Sequence, residues 1–84
     1  MDDPRPLRPE PSDAEIGAAV AAARHAAGLT QVEVARRIGV SQSRVARLET
    51  GARRLTFAQA VVLSELYATD LTAFVPDGDR SGQA

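Results

Sequence analysis

The chain has 84 residues, a net charge of −1 and no cysteine, which excludes a second sizeable domain, a disulfide framework and a thiolate metal site. Its longest apolar run, AAVAAA at residues 18–23, is too short to cross a bilayer, so no membrane partner is expected. The acidic, proline-rich N-terminus lacks the apolar segment of a signal peptide, and we expect a soluble, intracellular protein.

Capping residues divide the chain into short helices. Prolines at positions 4, 6, 9 and 11 predict a disordered N-terminal arm over residues 1–11. Four hydroxyl residues are placed as N-caps, and all but the third have a Glu or Gln three residues later that completes a capping box: Ser12, Thr30, Ser41 and Thr56. Three glycines are placed to end the first three helices: Gly28, Gly39 and Gly51.

The last element is predicted to begin with Asp70 as its N-cap and to stop at Pro76. No segment shows the alternation of a strand, so we predict an all-α fold: a compact five-helix domain over residues 12–76, followed by a disordered tail over residues 77–84. Apolar residues at helical spacing are the predicted core: Ile16, Val20, Ala27, Val34, Ile38, Val45, Leu48, Phe57, Val61, Tyr67, Leu71 and Phe74.

Charge is unevenly distributed along the chain. Residues 1–23 carry −3, residues 24–54 carry +5 and residues 55–84 carry −3. A basic centre between acidic ends is typical of a surface that meets a polyanion, because local charge outweighs the total within a Debye length. A solvated helix face would produce the same pattern, and charge alone does not separate the two.

The second and third helices have the features of a helix-turn-helix unit. Ala35 is small where the two helices would cross, Gly39 allows a sharp turn, and Val40 would pack into the core. Two apolar residues of the third helix, Val45 and Leu48, would hold it in place. Four polar side chains are then left outward, where they could meet base edges in a major groove: Gln42, Ser43, Arg44 and Arg47.

With the string GLTQVEVARRIGVSQSRVARLETG and Arg24 before it, residues 24–75 resemble the Cro/lambda-repressor (Xre) family of helix-turn-helix domains. The resemblance implies a lambda-repressor-like domain that binds double-stranded DNA, as a homodimer on an inverted repeat, and reads it with the third helix. The chain departs from many relatives after that helix, where it has ARRLT instead of Asn-Pro. From the resemblance we expect a transcriptional regulator, most simply a repressor, that acts in a bacterial or phage cytoplasm and associates with the nucleoid.

The resemblance also implies roles for individual residues. Gln42, Ser43 and Arg47 match base-contacting positions, with Arg44 beside them. Gln31 matches a position that touches a phosphate and supports the first residue of the third helix. Three arginines are further candidates for phosphate contact: Arg37, Arg53 and Arg54.

Arg24 and Glu49 are predicted to form a structural salt bridge. Arg24 continues the apolar stripe of the first helix, and Glu49 lies on the inner edge of the third, where an unpaired charge is costly. The resemblance points to the same pair. No paired carboxylates, metal-ligand spacing or phosphate-binding glycine loop is present, and His25 has no partner at ligand spacing, so we expect no enzyme activity, metal or cofactor.

Two classes of function stay open. The first is a sequence-specific DNA-binding regulator, which could also be the DNA-binding half of an antitoxin or of a larger repressor. The second is a protein-interaction module of the same fold. Val62 and Leu66, one turn apart on the fourth helix, favour an apolar dimer surface, although both could simply widen the core stripe.

Overall fold

The computed structural model of the chain describes residues 9–76. It contains four α-helices, α1 (Asp13–Ala26), α2 (Gln31–Ile38), α3 (Gln42–Thr50) and α4 (Phe57–Leu66), and one 3-10 turn (Leu71–Phe74). No strand occurs between residues 9 and 76, which confirms the all-helical prediction. The predicted fifth helix is instead this single 3-10 turn, so the count of five is not met.

The predicted caps explain where the helices begin. The side chain of Ser12 accepts from the backbone N–H of Glu15 while Glu15 accepts from that of Ser12, and Thr30 and Thr56 form the same reciprocal pair. Ser41 accepts from the N–H of Arg44 at 3.1 Å. Asp70 makes no capping hydrogen bond through its side chain, so that predicted cap is wrong. The 3-10 turn is therefore stabilised by its packing and not by its cap.

The core lies between the four α-helices and the 3-10 turn. Its buried apolar residues are Val20, Val34, Ala35, Val45, Leu48, Ala60, Leu63, Tyr67 and Phe74. Six predicted core residues are not among these. Ile16, Ile38 and Leu71 are half-buried and pack against the core, Val61 is half-buried, and the other two are exposed. Phe57 is 75% exposed, because a side chain in the first turn of a helix leans back beyond its N-terminus, and Ala27 is exposed because it already caps the end of α1.

Where α1 crosses the C-terminal end of α3, the two backbones are in direct contact. A Cβ atom added to Gly17 would overlap the carbonyl oxygen of Leu48 and would lie 2.5 Å from that of Glu49. A Cβ atom at Gly51 would lie 2.5 Å from the backbone nitrogen of Ala14, and Gly51 also has a φ of 88°. The sequence indicated Gly51 as a helix-ending glycine, but the crossing requires it for a second reason, and Gly17 was not singled out.

The predicted domain limits are not tested at either end. Of the predicted arm, only residues 9–11 are described, and they are not helical. The rest of the arm and the predicted tail over residues 77–84 lie outside the described residues. Within residues 9–76, no helix is both long and apolar enough to cross a membrane.

Candidate nucleic-acid interface

The turn between α2 and α3 has the geometry that a helix-turn-helix requires. Gly39 has a φ of 77°, a left-handed conformation that glycine adopts without a steric penalty. The backbone N–H groups of Gly39 and Val40 both donate to the carbonyl oxygen of Ala35, at 2.9 and 3.0 Å. Ala35 is 4% exposed, so its small side chain lies where α2 meets its neighbours.

Helix α3 has one buried and one exposed side. Val45 and Leu48 are each 3% exposed and hold the helix against the core. Gln42, Ser43 and Arg47 are exposed on the other side. Arg44 is half-buried. The four candidate base-contacting residues are therefore three exposed side chains and one half-buried side chain.

Gln42 is held by a residue from α2. Its Nε2 donates to Oε1 of Gln31 at 2.7 Å, across the turn that separates the two helices. Gln31 is half-buried at the first position of α2. The structure thus brings together Gln31 and the first residue of α3, and a single amide–amide hydrogen bond fixes where the Gln42 side chain leaves the surface.

A buried ion pair lies behind this contact. Arg24 Nε donates to Glu49 Oε2 at 2.7 Å, and the side chains are 9% and 6% exposed. Arg24 Nη2 donates to Glu49 Oε1 at 3.0 Å and Nη1 to the carbonyl oxygen of Leu29 at 2.8 Å. These hydrogen bonds to Glu49 raise the pKa of Arg24 above its ordinary value. The pair joins α1 to α3, and Gln31 Nε2 adds a further donor to Glu49 Oε1 at 2.8 Å.

The three predicted phosphate-contacting arginines lie outside α3. Arg53 and Arg54 are exposed in the loop after α3, and Arg37 is exposed in the last turn of α2. Arg53 is fixed through its backbone N–H, which donates to the carbonyl oxygen of Arg47 at 3.1 Å. Arg54 Nε lies 3.4 Å from Oδ1 of Asp13, an exposed pair that solvent weakens.

The electrostatics of the helix ends differ in a way that matters for an anionic ligand. The first turns of α1 and α2 contain acidic residues, whereas the first turn of α3 contains none. In α2 the backbone N–H of Thr30 lowers the pKa of Glu33, with smaller contributions from its side chain and from Arg37 and Arg36. The N-terminus of α3 carries the positive end of a helix dipole, and its own first turn has no carboxylate to cancel it.

The sequence predicted a DNA interface and a structural salt bridge, but it did not predict the hydrogen bond that joins them. It placed Gln31 with the interface and Glu49 with the core, but the two side chains are hydrogen-bonded to each other. The contact joins residues 18 positions apart and depends on how α2 sits over the end of α3, so helical spacing carries no signal for it. It also missed Asp13 as the partner of Arg54, because the crossing of α1 and α3 brings them together.

The chain also matches a known protein family. A family model described as a helix-turn-helix domain matches residues 15–74, which is most of the chain and includes every helix except the first two residues of α1. No curated protein matches the chain.

Proposed function

We propose that this chain, which belongs to the helix-turn-helix domain family, is a sequence-specific DNA-binding transcriptional regulator. In this proposal it is a repressor of the Cro/lambda-repressor (Xre) type that acts in the cytoplasm and reads the major groove with α3. Its role is binding and not catalysis.

The observation that carries this proposal is the supported, acid-free outer side of α3. Gln42 and Arg47 are exposed there, while Val45 and Leu48 on the opposite side fix the helix. An amide can pair bidentately with adenine and a guanidinium with guanine, each for about 1–3 kcal/mol of discrimination. Ser43 lies between them as a hydroxyl that can meet either kind of base. A protein-interaction surface would more simply carry apolar or acidic side chains here.

Sequence-independent affinity for DNA would come from residues outside α3. Arg37, Arg53 and Arg54 are exposed around the reading helix, and Gln31 lies at the N-terminus of α2, where a helix end attracts a phosphate. Each phosphate that is neutralised should add about 0.9 to the slope of log affinity against log salt. Arg54 would exchange its weak contact with Asp13 for a phosphate.

A homodimer on an inverted repeat is the proposed binding form. Helix α4 exposes apolar side chains as well as burying them: Phe57 is 75% and Val62 47% exposed. Leu66, by contrast, is half-buried and packs against the core, so Val62 and Phe57 are better candidates for a contact between copies. A two-fold axis through this surface would place two α3 helices roughly 34 Å apart, one turn of DNA.

The test is a selection from a pool of random DNA duplexes, followed by affinity measurements at several salt concentrations. The proposal predicts an enriched sequence with inverted symmetry, bound at least about a thousandfold more tightly than a scrambled duplex. Equal, salt-sensitive affinity for all duplexes would reject sequence specificity. If no duplex is bound even at low salt, the protein-interaction module becomes the better description. An enriched single half-site would keep specificity and reject the dimer.

A further inference from the structure

A chain of side-chain hydrogen bonds connects the buried ion pair to the reading helix. Glu49 accepts from Arg24 at both carboxylate oxygens, at 2.7 and 3.0 Å. Its Oε1 also accepts from Gln31 Nε2 at 2.8 Å, and Gln31 Oε1 accepts from Gln42 Nε2 at 2.7 Å. Polar contacts are therefore continuous from the inner side of α1 to the exposed first residue of α3.

Glu49, at the buried end of this series of hydrogen bonds, determines which way each glutamine amide is turned. A carboxylate only accepts hydrogen bonds, whereas an amide has one end that accepts and one that donates. Gln31 must therefore turn its nitrogen toward Glu49 and its oxygen toward Gln42. That oxygen in turn requires the nitrogen of Gln42. An isolated glutamine has no such preference, because a half-turn of its amide exchanges oxygen and nitrogen with little change in shape.

The consequence lies at the outer end. One N–H of Gln42 is used by Gln31, which leaves the Oε1 atom and the N–H beside it for a base edge. This acceptor–donor pair matches the N6 amino group and the N7 atom of adenine. We infer that Glu49 is a positioning residue for base recognition: through Gln31, its carboxylate sets the orientation in which the Gln42 amide meets DNA. The inference rests on the proposed function and assigns it a residue that touches no base.

A purely structural Glu49 makes a different prediction. If its only role is to tie α1 to α3, then loss of its charge weakens the fold and lowers the affinity for every duplex by the same factor. A positioning role instead lowers the preference at one base pair, the one that Gln42 reads. The preference at the base pair read by Arg47, which is outside the hydrogen-bond chain, stays as it was.

The experiment uses the full chain and the duplex selected from the random pool, with every base pair replaced in turn. Gln42→Ala first identifies the base pair that Gln42 reads, where it should reduce the preference roughly 5- to 150-fold. Glu49→Gln should reduce the preference at that same base pair by at least about threefold, a part of the bidentate contribution. Arg24→Lys is the matched control, because it weakens the ion pair but leaves the carboxylate facing Gln31.

A second variant keeps the test valid if Glu49→Gln does not fold. Replacing both charges at once, Arg24→Met with Glu49→Met, leaves no unpaired charge and is often neutral for stability. It removes the carboxylate, so it should lose the preference at the Gln42 base pair as well. An unchanged preference in this folded double variant, or in folded Glu49→Gln, overturns the inference alone. A wild-type protein with no preference for any duplex overturns the proposed function and this inference with it.

Discussion

The two ends of α3 are built in opposite ways. At the C-terminal end, Leu48 and Glu49 are buried and the backbone of α1 passes so closely that Gly17 and Gly51 leave no room for a side chain. At the N-terminal end, Gln42 and Ser43 are exposed, and each has a side-chain hydrogen bond, Gln42 with Gln31 of α2 and Ser43 with its neighbour Ser41. Helix α3 is therefore tightly packed at its C-terminal end, which we call the anchored end, and exposed at its N-terminal end, which we call the presented end.

If α3 reads DNA as proposed, this difference separates stability from recognition along the nine residues of the helix. Substitutions at the anchored end should change the free energy of unfolding, and substitutions at the presented end should change only what is bound. Two residues do not fit this division. Glu49 is anchored but hydrogen-bonded toward the reading end, and the carbonyl oxygen of Arg47 holds the loop that carries Arg53.

The largest effect is expected at the ion pair. Glu49→Ala leaves Arg24 buried without its carboxylate, and removal of one partner of a buried pair costs about 3–5 kcal/mol. This is a large part of the stability of a small domain. Urea unfolding followed by circular dichroism measures the loss. Glu65→Ala, at an exposed glutamate of α4, is the control and should change stability by less than about 0.5 kcal/mol. Equal effects would remove the distinction between the two glutamates.

The crossing of α1 and α3 should be the next most sensitive point. Gly17→Ala places a Cβ atom against the backbone of α3, and we expect a net loss of about 1–3 kcal/mol from overpacking, although alanine favours a helix. Gly28→Ala is the control, because Gly28 has a φ of 75° but open space around it; it should cost only the left-handed strain, about 1 kcal/mol. If Gly17→Ala raises the melting temperature, the helices do not approach this closely.

At the presented end, two arginines should fail differently. Arg47→Ala should reduce the preference at one base pair per half-site by about 1–3 kcal/mol while binding to scrambled duplexes is largely kept. Arg53→Ala should weaken binding to all duplexes alike and lower the salt slope by about one. Competition titrations at several salt concentrations separate the two, and neither variant should change the unfolding midpoint. Loss of both duplexes in equal measure with Arg47→Ala would show that α3 is not the reading element.

The smallest effect at neutral pH is expected at Tyr67, beneath the anchored end. Its hydroxyl is buried and has no hydrogen-bond partner among the described residues. Burial raises its pKa to about 12. A raised pKa in the folded state means that this contribution to stability is complete below pH 10 and is lost as the pH rises through about 12. Tyr67→Phe should therefore be neutral or slightly stabilising at pH 7 and should remove that alkaline decline.

Absorbance at 295 nm reports this titration directly, because Tyr67 is the only tyrosine of the chain. The folded protein should ionise later in pH than the same protein in urea. A tyrosine that titrates near pH 10 in both states would show that the hydroxyl is in contact with water.

Local rules predicted most of the fold. The capping boxes at Ser12, Thr30 and Thr56, and the glycine at position 39, each act within a few residues and could be recognised from spacing alone. Phe57 could not be placed in this way, because its exposure depends on what lies beyond the N-terminus of α4. Gly17 was hidden for the same reason: a glycine in an alanine-rich helix carries no sign that another backbone passes over it.

The members of the proposed site were selected from the sequence, whereas the hydrogen bonds between them could not be. The helix-turn-helix pattern selects Gln42 and Arg47, and the stripe of α1 selects Arg24. That Gln31 links Glu49 to Gln42 depends on distances between three helices, which no periodicity contains. The half-burial of Arg44 likewise follows from the position of α3 against its neighbours. The DNA contacts of Gln42 and Arg47 stay predictions.

The hydrogen bond between Gln31 and Gln42 has a consequence for how such a domain could diversify. Neither Ser43 nor Arg47 has a side-chain hydrogen bond to another helix among the described residues, since Ser43 contacts only the neighbouring cap Ser41, so a new operator could be reached by replacing either one alone. Gln42 is different, because its replacement leaves the oxygen of Gln31 without its donor. A descendant that reads another base at this point would need two substitutions, one in each helix. Positions 31 and 42 should therefore change together when such domains diverge, while positions 43 and 47 drift independently.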